Sequence, residues 1–91
     1  MHVELLIPTA RSLKEKRAAL KPILEASRKR YRVAIGEVDH QDIHQRAYIE
    51  VAAVASREHV VTEMLDAVER LVWSAADVDV VAAWRSWLDA S

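Results

Sequence analysis

The sequence predicts one α+β domain, in which a four-stranded antiparallel sheet carries two helices on one face. Three observations support this fold class. The 91 residues suit a single domain spanning residues 1–91, and a content of 52% hydrophobic residues is typical of a globular chain. Four short segments have the composition or the alternation of strands, and two longer segments repeat apolar residues at helical spacing.

Local sequence signals mark the end of the first strand and the start of the first helix. The β-branched and Leu-rich run over residues 1–7, MHVELLI, predicts a strand that ends at Pro8. The sequence Ser12-Leu13-Lys14-Glu15 is a capping box, in which the Ser12 side chain caps a helix and Glu15 reaches back.

The first helix is predicted to continue to about Arg30. Pro22 lies in its middle, where the missing N–H removes the bond to Ala18 and should kink the helix. The apolar residues at helical spacing are Leu13, Leu20, Ile23, Leu24 and Tyr31.

Two strands joined by a turn follow. The second strand is predicted from Tyr31 to Asp39, with Val33 and Ile35 on one face, and residues 40–45 form the turn. The third strand is predicted from Arg46 to Ala55. Its inward residues alternate and are Ala47, Ile49, Val51 and Ala53.

A second helix and a fourth strand complete the chain. Ser56 is the predicted cap, and the fourth strand is predicted from about Asp77 to Trp87. The apolar stripe of the helix consists of Val60, Val61, Met64, Leu65, Val68, Leu71 and Val72. The order β-α-β-β-α-β is the ferredoxin-like plan, in which two right-handed crossovers place both helices on one face of the sheet.

The opposite face of the sheet is predicted to be open and partly apolar. Its predicted members are Leu6, Tyr48, Ala52, Val54, Val81, Ala83 and Trp87. Together with the clustering of Trp73, Trp84 and Trp87 near the C-terminus, this face predicts a homodimer or a protein partner. The alternatives are scattered surface apolar residues and tryptophans that pack against the C-terminal tail of the domain.

Composition excludes several classes of function. The absence of cysteine excludes disulfides, thiolate metal sites and thiol catalysis. A single glycine, Gly36, excludes glycine-rich phosphate loops and dinucleotide fingerprints. The sequence contains no apolar run of membrane-spanning length, and its N-terminus lacks the basic region of a signal peptide. We therefore expect a soluble cytoplasmic protein with no cofactor and no membrane contact.

The net charge of −1 is the sum of a basic segment and an acidic remainder. Residues 11–32 carry nine basic and two acidic residues, for a charge of +7, whereas the rest carries four basic and twelve acidic residues, for −8. Around the first helix, Lys14, Arg17, Lys21 and Arg28 lie on one arc opposite the apolar residues. Arg11 and Lys29 flank this arc.

These six cations predict binding to a polyanion such as ribosomal RNA. The alternative is an ordinary solvated helix face, with Lys21 and Glu25 as a local pair. An RRM-type contact is not expected, because Tyr48 is the one aromatic residue of the third strand and Glu50 repels phosphate.

A buried ion pair is predicted between the first helix and the second strand. Lys16 lies on the apolar arc of the helix, and Glu37 shares the parity of the inward strand residues. Asp39, at the predicted end of the second strand, and Arg46, at the predicted start of the third, are further candidates for this ion pair. A structural role is favoured over a catalytic Lys–Glu pair, since an inward Lys needs a partner.

The turn also carries residue types that ligate metals. His40, Asp42 and His44, with Asp39 nearby, include the imidazole and carboxylate groups that suit zinc. A polar turn is usually only solvated, and no cysteine assists, so we expect no metal site.

Two motifs resemble a known family over nearly the whole chain. They are SLKEKR at residues 12–17 and EVDHQD followed by QRA within residues 37–47, and they resemble the YlxP-like family, a bacterial domain of unknown function. The motif cluster consists of Lys16, Glu37, Asp39, His40, Gln41, Asp42, Gln45 and Arg46. The resemblance implies a small cytoplasmic ferredoxin-like protein. Genes of the family commonly lie beside ribosome-assembly and translation-initiation genes, which implies a role linked to the ribosome or to RNA.

The sequence thus predicts a non-enzymatic, ribosome- or RNA-associated homodimer. The alternative is a protein-interaction or structural module in which the basic helix meets an acidic protein. A third and weaker hypothesis is an enzyme that uses Lys16, Glu37, Asp39 and His40.

Overall fold

The structure, a computed structural model of the chain, describes residues 1–40 and 42–87. The elements in chain order are β1 (His2–Leu6), α1 (Leu13–Tyr31), β2 (Ala34–Asp39), β3 (Arg46–Ala52), α2 (Glu58–Ser74) and β4 (Asp79–Trp84). The strands form one sheet in the order β2-β3-β1-β4, and each neighbouring pair is antiparallel. This arrangement confirms the predicted ferredoxin-like α+β fold.

The core lies between one face of the sheet and the two helices. In β1 and β3 every second residue is buried, as expected for strands covered on one side. Those side chains form one apolar cluster with buried residues of α1 and α2. Its strand and helix members include Val3, Leu5, Ile49, Leu20, Ile23, Leu65 and Val68. The predicted stripe of α2 is confirmed, since each of its residues is buried or half-buried.

The cap of α1 agrees with the prediction except in its second hydrogen bond. The backbone N–H of Glu15 donates to Ser12 Oγ at 3.1 Å. The Glu15 carboxylate accepts from the backbone N–H of Arg11 at 3.2 Å, one residue before the donor that a capping box uses. The helix continues through Pro22, which lies on its exposed side. Within the described residues, no helix is both long and apolar enough to cross a bilayer.

The end of α1 corrects the predicted start of the second strand. Tyr31 is the last residue of the helix, and Arg32 follows it with a left-handed φ of 53°. A left-handed residue is a common way to end a helix, because it lets the chain turn away from the helix axis. The strand therefore begins at Ala34, whereas Val33 and Ile35 are both buried as predicted.

The third and fourth strands both end earlier than predicted. The third strand ends at Ala52, because its partner β2 begins opposite that residue at Ala34. The fourth strand ends at Trp84, which pairs with His2 at the start of β1. Strand length is thus limited by the length of the neighbouring strand.

The prediction that Ser56 caps the second helix is wrong. The N-cap of α2 is Arg57, and no side chain makes a capping hydrogen bond there. The first turn of α2 is instead bonded by the backbone, since the N–H of Val60 donates to the Arg57 carbonyl at 3.1 Å.

The open face of the sheet differs from the prediction in β4. Glu4 pairs with Ala82 and Leu5 pairs with Val80, so that Val81 is an extra residue at a bulge. The bulge reverses which face of the sheet the β4 side chains after Val81 occupy. Ala83 consequently lies opposite the inward Val3, on the helix side of the sheet and not on the open face.

The other predicted members of the open face divide into two groups. Leu6, Tyr48 and Ala52 lie on it, since they alternate with buried strand residues, and the exposed Val81 lines a small cavity with Glu4 and Leu6. Val54 and Trp87 lie beyond the ends of their strands. Trp84, which pairs with the outward His2, joins the face instead.

Replacing Ser27 by Ala is expected to raise the free energy of unfolding by about 1 kcal/mol. Ser27 in α1 is fully buried, and its hydroxyl has no hydrogen-bond partner among the described residues. Ala removes the desolvated hydroxyl and is also the better helix former. Urea unfolding of the two proteins measures the change. A loss of stability would show that the hydroxyl is bonded in solution.

Candidate functional site

The predicted ion pair between Lys16 and Glu37 is confirmed. The Lys16 side chain has no exposed surface, and the Glu37 side chain is 15% exposed. Lys16 Nζ donates to Glu37 Oε2 at 2.5 Å. The ammonium also donates to the backbone carbonyls of His40 at 2.8 Å and Arg46 at 3.1 Å. Burying an ammonium costs free energy that such a set of acceptors offsets.

The position of Lys16 explains what the pair connects. Glu37 belongs to β2, His40 follows its last residue, and Arg46 is the first residue of β3. The ammonium of one α1 side chain therefore fastens both ends of the β2–β3 connection to the helix layer. Arg46, which the sequence suggested as a further member of the pair, takes part through its backbone carbonyl.

The backbone at His40 turns the chain out of β2. Its φ is 59°, in the left-handed region that residues other than glycine enter at a cost. The His40 N–H donates to Asp39 Oδ1 at 2.8 Å. Its carbonyl accepts from the N–H of Ile43 at 3.0 Å as well as from Lys16. Asp39 thus supports the turn, and the register shift after Glu37 places it opposite the outward Tyr48, on the other face of the sheet from the ion pair that the sequence suggested it could join.

This geometry favours a structural role for the buried cluster. A catalytic ammonium must reach its substrate, whereas that of Lys16 lies wholly inside the domain. The enzyme hypothesis built on Lys16, Glu37, Asp39 and His40 therefore gains no support from this arrangement.

The remaining motif residues lie around the same connection. The side chains of Asp42, Gln45 and Arg46 are exposed, and the Gln45 carbonyl accepts from the N–H of Ile7 at 2.9 Å. Gln41 lies outside the described residues. Over residues 1–40 and 42–87, no group of three or more His, Asp or Glu side chains is placed to hold a metal ion.

The six cations predicted to bind a polyanion are all exposed. We use the term basic face for Arg11, Lys14, Arg17, Lys21, Arg28 and Lys29. From Lys14 to Arg28 the face extends about 21 Å along the helix axis, at 1.5 Å per residue. The predicted local pair of Lys21 with Glu25 is present at 3.9 Å between exposed side chains, where it contributes little.

Arg28 has a second role that the sequence did not reveal. Its Nη2 donates to the backbone carbonyl of Ile35 at 2.7 Å. Since β2 is an edge strand, this guanidinium covers a carbonyl that a pairing strand would otherwise use. No sequence signal predicts the contact, because it depends on the packing of α1 against that edge.

An aromatic cluster on the open face was also missed. The His2 ring stacks on Trp84 with ring centres 5.3 Å apart and an angle of 15° between the planes. Tyr48 meets Trp84 edge-on at 5.8 Å, and its hydroxyl lies 3.1 Å from His2 Nδ1. Three strands contribute one ring each, so only the register of the sheet brings them together.

Carboxylates surround this cluster. Glu50 Oε1 lies 3.3 Å from His2 Nδ1. Desolvation raises the pKa of the Tyr48 hydroxyl above its ordinary value. Three negative charges raise it further, those of Glu50, Glu4 and Asp39. The part of the open face around Tyr48 is therefore acidic and aromatic, a character that the predicted set of partly apolar residues did not include.

Comparison with known proteins identifies the family. The sequence profile of a family described as a protein of unknown function (DUF503) matches residues 1–85. The uncharacterized protein YlxP of Bacillus subtilis (strain 168) is 34% identical over 84 residues, which cover 92% of this chain and 91% of that protein. The residues matched by the family profile include both motifs on which the resemblance was drawn. The chain belongs to the DUF503 family, as the resemblance to YlxP-like proteins had indicated.

Proposed function

We propose that the chain is a small non-enzymatic protein that binds structured RNA, on the ribosome or one of its subunits, through the basic face of α1. The observation that carries the proposal is the exposure of all six predicted cations on and beside one helix. Such a protein acts in the cytoplasm, where ribosomes assemble.

The electrostatics of the helix support an anionic partner. A solvated helix face usually mixes charges of both signs. Here the segment of residues 11–32 has two acids, and the carboxylate of one of them, Glu15, accepts a hydrogen bond from the Arg11 backbone. Because phosphates attract each cation without regard to base sequence, recognition would depend on backbone charge and RNA shape.

The open face of the sheet is a poor RNA surface by comparison. Glu4, Asp39 and Glu50 lie close enough to Tyr48 to raise its pKa, and their charges repel phosphate. The helix layer, on the other side of the sheet, is therefore where we place the RNA.

Co-sedimentation with ribosomal subunits at two salt concentrations tests the proposal. We expect the protein to pellet with a subunit at low salt and to stay in the supernatant at high salt. The double variant Arg17→Gln with Lys21→Gln should lose most of the low-salt binding. A matched control, Arg57→Gln with Arg70→Gln, removes the same charge from exposed positions in the acidic part of the chain and should still pellet.

Two outcomes would overturn the proposal. One is the absence of binding to either subunit and to purified ribosomal RNA at low salt. The other is an equal loss of binding in both double variants, which would show that net charge and not the basic face determines the interaction.

A second candidate function is a homodimeric protein-interaction or structural module without RNA binding. Exposed tryptophans favour it, since Trp73 is 62% and Trp87 is 52% exposed. Tryptophan is enriched in protein interfaces and is seldom left in water without a role.

Light scattering at micromolar concentration is expected to give about twice the chain mass of 10.3 kDa. The expectation rests on the exposed tryptophans, a residue type that is enriched in protein interfaces. A mass of one chain at each concentration tested would contradict the homodimer.

A further inference from the structure

The acidic aromatic face is a surface that neither the RNA proposal nor the core explains. We use this term for His2, Glu4, Asp39, Tyr48, Glu50 and Trp84, which lie on the open side of the sheet. The register places them together, because residues opposite each other on neighbouring strands share a face. Glu4 lies opposite Tyr48 on β3, and Asp39 lies opposite Tyr48 from β2.

The rings of this face are ordered but remain accessible. Trp84 is 43% exposed although it stacks on His2 and contacts Tyr48. The His2 ring is fixed at both nitrogens, since Nε2 lies 3.2 Å from Ser86 Oγ and Nδ1 lies 3.1 Å from the Tyr48 hydroxyl. A preordered aromatic surface loses little entropy when it binds a partner.

The charge of the face determines what it attracts. Three carboxylates surround the rings, since the register places Glu4 and Asp39 opposite Tyr48 and Glu50 opposite His2. A fourth, Asp79, lies opposite Leu6 at the end of β4. Arg46 of β3 lies opposite the same Leu6, and among the described strand residues it is the one Lys or Arg that the register places on this side. Aromatic rings beside carboxylates are complementary to a cation, whose charge both groups attract.

We propose that the acidic aromatic face binds a cationic, arginine-rich segment of a partner protein. Guanidinium groups stack on Trp84 and Tyr48, and the carboxylates of Glu4 and Glu50 accept their hydrogen bonds. Arginine suits this surface better than lysine, because its planar group both stacks and forms paired bonds with a carboxylate. This partner is separate from the RNA, which we place on the opposite layer of the domain.

The negative charge of this face disfavours RNA and a second copy of the chain as its partner. RNA would bring phosphates against the carboxylates. A second copy related by two-fold symmetry would place the same acidic face against itself, because such an interface uses one patch on both subunits. A homodimer that uses the other exposed tryptophans, Trp73 and Trp87, is compatible with the proposal.

Binding of fluorescently labelled nona-arginine, followed by anisotropy at moderate salt, tests the proposal. We expect the variant Glu4→Gln with Glu50→Gln to bind the peptide at least tenfold more weakly than the wild type. The matched control is Glu58→Gln with Glu63→Gln, which removes the same charge from exposed positions of α2. The affinity of the control for the peptide should fall by less than twofold. Circular dichroism should show that each variant is folded.

The aromatic part of the surface is tested separately. Trp84→Leu should weaken nona-arginine binding severalfold, whereas Trp84→Phe, which keeps a ring, should retain most of the affinity. The variant Arg17→Gln with Lys21→Gln should bind the peptide as well as the wild type or better. A failure of RNA binding and a failure of peptide binding are thereby distinguishable.

Three results would overturn the inference. The first is equal weakening of peptide binding in the face variant and in its matched control. The second is a dimer that dissociates when Trp84 or Glu50 is changed, which would show that a second copy covers the face. The third is an oligonucleotide that competes with nona-arginine for binding, with a competition that is lost when Tyr48 or Trp84 is changed.

Discussion

Replacing Lys16 by Met is expected to lower the free energy of unfolding by roughly 3–5 kcal/mol. Met has a similar length and fills the buried space, so the loss is electrostatic. The carboxylate of Glu37 then lies half-buried without its cation, and the carbonyls of His40 and Arg46 lose a donor. Because the Glu37 side chain keeps 15% exposure and some hydration, we expect the lower end of the range.

Urea or thermal unfolding of the variants measures this loss. Lys14→Met is the matched control, since Lys14 is an exposed residue of the same helix turn and its loss should cost little. Stability of Lys16→Met equal to that of the wild type would contradict the importance of the pair.

The double variant Lys16→Met with Glu37→Gln should regain part of the loss. Gln removes the carboxylate charge that has lost the Lys16 ammonium, which is the most costly consequence of the single change. Recovery should be incomplete, because the His40 and Arg46 carbonyls still lack the ammonium donor. A double variant as unstable as Lys16→Met would show that the carboxylate is not the main source of the contribution of Lys16.

The ion pair illustrates how far sequence reasoning extends. The helical arc of Lys16 and the strand parity of Glu37 were each periodic properties, and they sufficed to predict the pair. The carbonyl partners were not predictable, because they depend on the left-handed turn at His40. A left-handed conformation at a residue other than glycine has no reliable sequence signal.

The open face shows the same division between periodic and local information. Alternation correctly placed Tyr48 and Leu6 on it. The bulge at Val81 then reversed the alternation in β4, which moved Ala83 to the helix side and Trp84 to the open side. Because a one-residue shift transfers every later side chain to the other face, the aromatic cluster could not be predicted without the register.

Helix ends were predicted with mixed success for a physical reason. Ser12 was correctly identified because its hydroxyl bonds the N–H of Glu15, three residues on. Ser56 has the same residue type but lies one position before the N-cap of α2. A capping residue is favourable without being required, so the backbone and the packing of the apolar stripe determined where this helix begins.

The basic face leads to the second large expected effect, on the salt dependence of RNA binding. If Lys14, Arg17, Lys21 and Arg28 each neutralise one phosphate, the logarithm of the affinity should fall linearly with the logarithm of salt concentration. The expected slope is about −3, since each contact contributes roughly 0.7–0.9 through the release of condensed counterions. Sequence changes in the RNA should matter little, because phosphate contacts carry no base information.

Arg17→Gln with Lys21→Gln should reduce the magnitude of that slope by about 1.5, since two of the four contacts are lost. Folding should survive, because both side chains are exposed and Lys21 makes only a weak surface pair with Glu25. The measurement is a salt titration of binding to structured ribosomal RNA, with Arg57→Gln and Arg70→Gln as the charge-matched control. The control should keep the wild-type slope, because its positions lie outside the basic face and contact no phosphate. Identical slopes for the wild type and the basic-face variant would exclude that face from the RNA contact and would favour the protein-interaction module instead.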